Sequence, residues 1–230
     1  GSIQSKVQSN STAGFSIVNY VGTGANSSDV TIGHELSTTP RMVIVKNRTD
    51  SSTRWQVYHE DLSADATYTK KNLLLNSSSV QSGYASQIKA VSATTFTVRD
   101  TDSNGNAFVN KSSSNYTAFV FAEVEGYSKI GTYEGNNSST DNAFVFTGFL
   151  PSFIAIKNID AAEDWTIRDI EHSGYYTDRA NPIPIGVQPS TSTNATGGSA
   201  FNIDFVSNGF KVRGNNADVG ASNTYIYLAF

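Results

Sequence analysis

An internal repeat is the feature that most constrains how this chain of 230 residues can fold. The stretch PRMVIVKN at 40–47 returns as PSFIAIKN at 151–158, and FTVR at 96–99 returns as FKVR at 210–213. The matches keep the same order in both halves of the chain, with small insertions between them. Ordered similarity of this kind predicts a tandem duplication, in which both copies fold into the same type of unit.

Short runs of β-branched and alternating residues predict that each unit is built from strands. The runs MVIVKN and TTFTVRD are examples, and turn-forming pairs such as NG, GN and SG interrupt such runs at short intervals. No segment carries a sustained period of 3.6 residues. We therefore expect an all-β protein of two tandem, similar antiparallel β-sandwiches with a jelly-roll-like topology. The expected boundaries are a lead-in segment at 1–13, a first sandwich at 14–125 and a second sandwich at 126–230.

The composition excludes several classes of partner and site. Charged residues make up 16% of the chain and the net charge is -4, without a cluster of Lys and Arg, so nucleic acid is not an expected partner. No apolar run is long enough to cross a bilayer, which argues against membrane insertion. The absence of cysteine removes disulfides and thiolate metal sites. A surface rich in Ser, Thr and Asn is typical of an extracellular or virion protein.

The motifs around the repeat resemble those of a known family. GFSIVNYVGTG at 14–24, the Gly-His-x-Leu element at 33–36 and the Gly-Phe-x-Pro element at 148–151 are similar to a domain family from tail and other virion proteins of tailed phages, notably marine ones. The resemblance implies a place on the virion, in a tail fibre or receptor-binding appendage. It also implies a homotrimer, because such fibres are commonly trimeric. It transfers no catalytic residue to this chain, and Glu35 stands where members commonly have glycine. We expect no cofactor.

An acidic loop has the beginning of a calcium-binding pattern. Asp100, Asp102 and Asn104 follow the D-x-D-x-N-G spacing, but the twelfth position is Lys111, where an EF-hand needs a bidentate Glu. The second copy carries RGNNADVG at the matching place, without the acidic pair. We therefore interpret the loop as a turn between strands, with Asp100, Asp102 and Asn104 as the weak candidates for a metal site.

The two tryptophans of the chain, Trp55 and Trp165, occupy matching places in the two copies. Each is either a core residue that closes one end of a sandwich or a platform on which a sugar ring stacks. Tyr58 and His59 follow Trp55 at strand spacing and could add polar contacts to such a ligand.

The segments that the two copies share least, 60–86 and 171–200, are candidates for contact with a host, because loops on a rigid scaffold tend to carry function. Their aromatic and planar cationic side chains suit carbohydrate or protein surfaces. The candidates are Tyr68, Tyr84, Tyr175, Tyr176 and Arg179. The same side chains could instead cover sheet edges or pack against a neighbouring subunit.

The function that these features favour is a non-enzymatic receptor-binding module of a phage tail fibre, which recognises a bacterial surface glycan or lipopolysaccharide. Other tail proteins are further expected partners. One alternative is a structural virion protein, a spacer or decoration domain that contacts other phage proteins. Another is a glycan depolymerase, for which Glu123 and Glu125 lie two residues apart on one expected strand.

Overall fold

The computed structural model describes residues 1–24, 28–67, 69–100, 108–170, 181, 183, 185–191 and 196–230. Strands dominate these residues, and the helical element among them is a 3-10 turn at Ser199–Phe201. Every pairing between two named strands is antiparallel. The all-β, antiparallel character predicted from the sequence is therefore confirmed. None of the helical residues described here forms a span long and apolar enough to cross a membrane.

The chain divides into two compact units. Unit 1 consists of Gly1–Leu75 and Gln81–Val124, and unit 2 consists of Asn76–Val80 and Glu125–Phe230. The segment 76–80, which the sequence placed in the first copy, thus groups with the second unit. One contact that explains this grouping is the hydrogen bond from Lys157 Nζ to the Ser78 carbonyl at 3.2 Å.

Unit 1 is formed by two main sheets and a short hairpin. Its strands are β1 (Ser5–Asn10), β2 (Phe15–Val21), β3 (Asp29–Gly33), β4 (Met42–Asn47), β5 (Trp55–His59), β6 (Ala64–Asp65), β7 (Thr69–Lys70), β8 (Leu73–Leu74), β9 (Ser86–Val91), β10 (Thr95–Asp100) and β11 (Asn115–Phe121). The larger sheet has the order β1-β2-β11-β4-β5-β8, and the smaller sheet has the order β3-β10-β9. Strands β6 and β7 pair separately.

The two sheets of unit 1 bury their inward side chains in one core. Val18 and Val45 from the larger sheet and Ile32 and Phe96 from the smaller sheet are fully buried in the same cluster. Burial alternates along β2, as expected for a strand with one inward face. The hydrophobic effect between the two sheets therefore stabilises a sandwich-like unit, and the other face of the larger sheet is partly open.

Unit 2 repeats this arrangement with fewer strands. Its strands are β12 (Lys129–Glu134), β13 (Phe144–Phe146), β14 (Phe153–Asn158), β15 (Thr166–Asp169), β16 (Ile185–Gly186), β17 (Thr196–Gly197), β18 (Ile203–Val206), β19 (Gly209–Val212) and β20 (Thr224–Ala229). The main sheets have the orders β12-β20-β14-β15 and β13-β19-β18, and β16 pairs with β17. The order β2-β11-β4-β5 of unit 1 matches the first of these, and β3-β10-β9 matches the second.

A pair of stacked tyrosines lies in the core of each unit. The ring centroids of Tyr20 and Tyr116 are 5.0 Å apart, and those of Tyr133 and Tyr225 are 4.9 Å apart. The hydroxyls of Tyr20 and Tyr133 each donate to a backbone carbonyl at 2.7 Å. These hydroxyls are satisfied inside the core, so burying them carries little penalty.

The segment 1–13, which the sequence predicts to be a lead-in, contains a strand of unit 1. Strand β1 pairs with β2 along its whole length, from Ser5 opposite Tyr20 to Asn10 opposite Phe15. The sequence did not indicate this strand because its outward residues are polar and Val7 alone packs against the core.

The backbone turns in an unusual conformation at position 35, just after β3. Glu35 has a φ of 59°, in the left-handed region that disfavours side chains. The matching place in unit 2, just after β13, is Gly148, with a φ of 86°. Both units therefore turn in the same unusual conformation at this point.

Candidate functional site

A lateral row of side chains crosses the outer face of the six-stranded sheet in unit 1. Cross-strand pairing aligns Lys6, Asn19, Thr117, Lys46 and Trp55, one from each of β1, β2, β11, β4 and β5. Adjacent strands lie about 4.8 Å apart, so four intervals give a row of roughly 19 Å. We refer to these five residues as the Trp55 row.

Trp55 ends the row as a half-buried aromatic platform. Its ring lies nearly parallel to that of Phe119, with an interplanar angle of 16° and ring centroids 6.3 Å apart. Both rings line a cavity of about 460 Å³, together with Arg48 and Ser51. An apolar surface beside a few polar groups is the usual composition of a small-molecule site.

Polar groups along the row are oriented by short hydrogen bonds. The Thr117 hydroxyl donates to the Asn19 side-chain oxygen at 2.7 Å. Lys46 donates to the Thr53 carbonyl. Burial lowers the pKa of Lys46 from its ordinary value, and nearby Asp50 opposes this shift.

The row carries two cations, Lys6 at the end opposite Trp55 and Lys46 next to Trp55. A second cavity of about 780 Å³ is lined by Lys6, Asn19 and Arg48, and Arg48 also lines the cavity beside Trp55. Exposed Lys6 and Arg48 together with Lys46 give this face a local positive charge, which reaches about 8 Å into solvent at physiological salt. The face is therefore suited to a ligand that combines a ring with an anionic group.

The equivalent tryptophan in unit 2 has a different environment. Trp165 is 1% exposed. Lys157, which matches Lys46, is 0% exposed, and burial lowers its pKa to about 8. The surroundings of Trp165 therefore favour its interpretation as a core residue, and those of Trp55 favour its interpretation as a platform.

Two other candidates beside Trp55 are buried. Tyr58 lies in the core of unit 1, donates its hydroxyl to Glu60 and has a pKa raised above the ordinary value, mainly by burial. His59 is 0% exposed, and its Nδ1 accepts the Asp61 N–H at 3.2 Å. The structure thus gives both side chains protein partners and does not bring them to the Trp55 row.

The candidates in the variable segments are only partly described. Tyr84 is half-buried, meets Phe108 edge-on with ring centroids 6.4 Å apart, and has a pKa raised mainly by burial. The other four lie outside the described residues: Tyr68, Tyr175, Tyr176 and Arg179.

The acidic residues of the sequence form no metal cluster in the described part of the chain. Asp100 is the last residue of β10 and is 3% exposed, while Asp102 and Asn104 lie outside the described residues. Within the described residues, no three His, Cys, Asp or Glu side chains lie close enough together to hold a metal ion.

The two glutamates of the depolymerase alternative occupy ordinary surroundings. Glu123 Oε1 lies 3.7 Å from Arg41 Nε, and Arg41 also forms an ion pair with Asp61 at 2.8 Å. Glu125 is exposed. Glu123 thus shares a surface cation with a second carboxylate.

Sequence reasoning found Trp55 but missed the other members of the row. Lys6, Asn19, Thr117 and Lys46 come from four strands that are distant in the chain, and only the strand register brings them together. The one available signal was the outward position of Lys46 in the run MVIVKN.

Fold and site together define an all-β protein of two sandwich-like units with an aromatic, basic depression on one sheet. The chain belongs to the family described as Domain of unknown function (DUF7483), whose match covers residues 1–230. Comparison with curated proteins and with solved structures gave no match.

Proposed function

We propose that this chain is a non-enzymatic receptor-binding module of a phage tail fibre, which binds a bacterial surface glycan on the outer face of unit 1. The observation that carries the proposal is the platform of Trp55 on Phe119, beside a cavity of about 460 Å³ and at the end of a polar row. The flat face of a sugar ring is apolar and its rim is polar, so a half-buried tryptophan flanked by donors suits it.

The charge of the row narrows the class of glycan. Lys6, Lys46 and Arg48 lie along one face, and ammonium and guanidinium groups only donate hydrogen bonds. Anionic groups such as phosphates or uronic acids of lipopolysaccharide and capsule satisfy these donors best. We therefore expect acidic glycans to bind more tightly than neutral ones, with an affinity that falls as salt rises.

The virion location follows from the resemblance of the motifs to phage tail proteins. A single open depression gives weak binding, and several copies on one fibre would raise the overall affinity through effective concentration. The homotrimer expected by analogy would supply three such sites.

The test is binding of labelled protein to an array of bacterial surface glycans and lipopolysaccharides, with and without a chelator. We expect binding to a subset of acidic glycans and a loss of about tenfold or more in Trp55→Ala, because truncating a central aromatic anchor removes a large part of the binding energy. The matched control is Tyr127→Ala, which removes an aromatic side chain that is 50% exposed in unit 2 and should leave binding unchanged.

Each arm of the experiment decides a separate point. Folded protein that binds no glycan in any buffer rejects the proposal, as does equal binding by Trp55→Ala. Binding that is lost in chelator would revive the interpretation of Asp100 and Asp102 as metal ligands.

A structural virion role is the second candidate, and one observation favours it. Below the Trp55 row, the same outer face carries half-buried apolar side chains, including Phe15 and Phe121 with ring centroids 5.0 Å apart. Such a surface also suits another protein. Capture of a purified tail component by this chain, without binding to cells, would favour this role.

We also propose that the two units arose by tandem duplication of one sandwich with jelly-roll-like connections. The matching strand orders and the two stacked tyrosine pairs support it. In both units the stacked tyrosines are cross-strand partners on the matching pair of strands, as a duplication predicts.

A further inference from the structure

Strand β13 is an edge strand of unit 2 that carries two exposed aromatic side chains. Phe144 is 50% exposed and Phe146 is 62% exposed, whereas Val145 between them is 5% exposed and packs in the core. β13 ends the sheet order β13-β19-β18, so no described strand pairs with its other edge. Exposed apolar edges of this kind are templates for pairing with another chain.

The backbone groups of the two phenylalanines point towards that open edge. Val212 N–H donates to the Ala143 carbonyl at 2.9 Å, and Thr147 N–H donates to the Asn208 carbonyl at 3.0 Å. Residues of an antiparallel strand alternate in the side to which their N–H and C=O groups point. Ala143 and Thr147 face β19, so the N–H and C=O groups of Phe144 and Phe146 face outward.

The matching edge in unit 1 is covered by the chain itself. Strand β3 takes the place of β13, with Thr31 matching Phe144 and Gly33 matching Phe146. Thr31 N–H donates to Ser2 Oγ at 2.8 Å, and Ile3 N–H donates to the Thr31 carbonyl at 3.0 Å. Ser5 Oγ donates to the Gly33 carbonyl at 3.3 Å.

Among the described residues, no equivalent segment covers β13. In unit 1 the covering residues 2–5 lie shortly before β2, and the residues at the same distance before β12 are 116–119. Those residues belong to β11, which pairs with β2 on one side and with β4 on the other. Their backbone groups are therefore already occupied.

We propose that β13 pairs antiparallel with β13 of a second copy of this chain, about a two-fold axis at Val145. In this register Phe144 lies opposite the partner's Phe146, and the reverse pair forms by symmetry. Both pairs use the outward backbone groups, which gives four hydrogen bonds across the axis. Four phenylalanine rings then lie on one face as cross-strand neighbours, an arrangement that stabilises antiparallel sheets.

The short strand limits the strength of this contact. Three residues from each copy bury far less than the roughly 1,000 Å² of a stable complex, so the dimer is expected to be transient. It would join two three-stranded sheets into one of six strands.

The test is sedimentation analysis of the full chain over about 5 to 500 µM, where transient dimers become populated. We expect dimer formation with rising concentration, and a loss of about tenfold or more in dimer affinity for the double variant Phe144→Thr, Phe146→Thr. Threonine keeps strand propensity and is the residue that unit 1 uses at the first position. Val21→Thr, which changes a side chain that is 50% exposed in unit 1, is the matched control and should dimerise normally.

A second readout identifies the strand involved. Amide hydrogen exchange at Phe144 and Phe146 should slow as concentration rises, while that at Thr31, already covered, should not change. A monomer throughout the series, or an oligomer of any size that the double variant does not weaken, would overturn the inference. Glycan binding is measured separately through Trp55, so either result stands without the other.

Discussion

The two units of this chain place the same side chains in different surroundings. Trp55 is half-buried beside a cavity, whereas Trp165 is 1% exposed. Lys46 lies on the partly open row, whereas Lys157 is fully buried and donates to the carbonyls of Ser78 and Asn158, at 3.2 and 2.8 Å. The difference teaches that, in two units with matching strand orders, the role of a residue depends on what packs over it, and not on its identity or strand position.

The exposure of the sheet edges differs in the opposite sense, because here unit 1 is the covered one. In unit 1 the edge strand β3 is covered by residues 2–5, and in unit 2 no described segment covers the edge strand β13. Unit 1 thus keeps a sheet face partly accessible and closes this edge, while unit 2 buries the equivalent Trp165 and leaves its edge exposed. The two proposed contacts, with a glycan and with a second copy, use these two different surfaces.

The largest expected effect separates the two tryptophans by stability. Trp165→Ala removes a fully buried ring, and we expect it to lower the free energy of unfolding by about 3–5 kcal/mol. Trp55→Ala removes a half-buried ring beside an existing cavity and should cost about 1 kcal/mol. Urea denaturation followed by far-UV circular dichroism measures both changes. Equal losses in the two variants would contradict the assignment of one ring to the core and the other to a ligand.

The second prediction concerns a carboxyl group that only unit 2 contains. Asp218 is 5% exposed and accepts hydrogen bonds from the Asp164 N–H and the Gln188 amide, both at 2.9 Å, while the matching residue in unit 1 is Phe108. Burial raises the pKa of Asp218 to about 6. Since the unfolded value is near 3.9, the stability that this group contributes is present below about pH 4 and lost as pH rises through 6.

Asp218→Asn should remove this pH dependence because the amide is neutral at every pH. Between pH 4 and pH 7, the free energy of unfolding of the variant should rise by about 2–3 kcal/mol relative to that of the original protein. Urea denaturation at a series of pH values measures it. Asp141→Asn is the control and its stability difference should stay constant over this range, since a hydrogen bond from Lys211 lowers the pKa of Asp141 and the group is ionised in both the folded and the unfolded protein above about pH 4. A constant difference for Asp218→Asn across this range would show that the carboxyl is not held neutral.

Most strands were predictable from the sequence, and there is a physical reason why strand β1 was missed. The run MVIVKN became β4 (Met42–Asn47), and TTFTVRD contains β10 (Thr95–Asp100). Strand β1 was not predicted because Val7 is its one side chain that packs against the core. An edge strand whose outward residues are polar therefore shows no clear alternation of apolar and polar residues. Periodicity reports burial on one face, so it is weakest where a strand buries least.

Of the candidate site, only the aromatic anchor Trp55 was predictable from the sequence. Trp55 and Trp165 follow similar polar loops, and nothing in their local sequences shows that one is covered and the other is not. The polar partners Lys6, Asn19 and Thr117 lie on strands whose register is set by long-range pairing. Local patterns do not determine such pairing, so the site emerged only from the structure.

The smallest expected effect compares the turn that follows β3 with the turn that follows β13. Glu35 is exposed and has a φ of 59°, which costs a residue with a side chain about 1–2 kcal/mol, partly offset by the greater entropy that glycine loses on folding. Glu35→Gly should therefore raise the free energy of unfolding by up to about 1 kcal/mol. In unit 2, Gly148→Ala should lower it by about 1 kcal/mol through backbone strain alone, because an added Cβ meets only the Phe146 ring, at 3.9 Å. Thermal denaturation should show shifts of about 2–4 °C in opposite directions. Shifts of the same sign would mean that the two turns are not energetically equivalent. The correspondence between the units would then hold for their sheets but not for these turns.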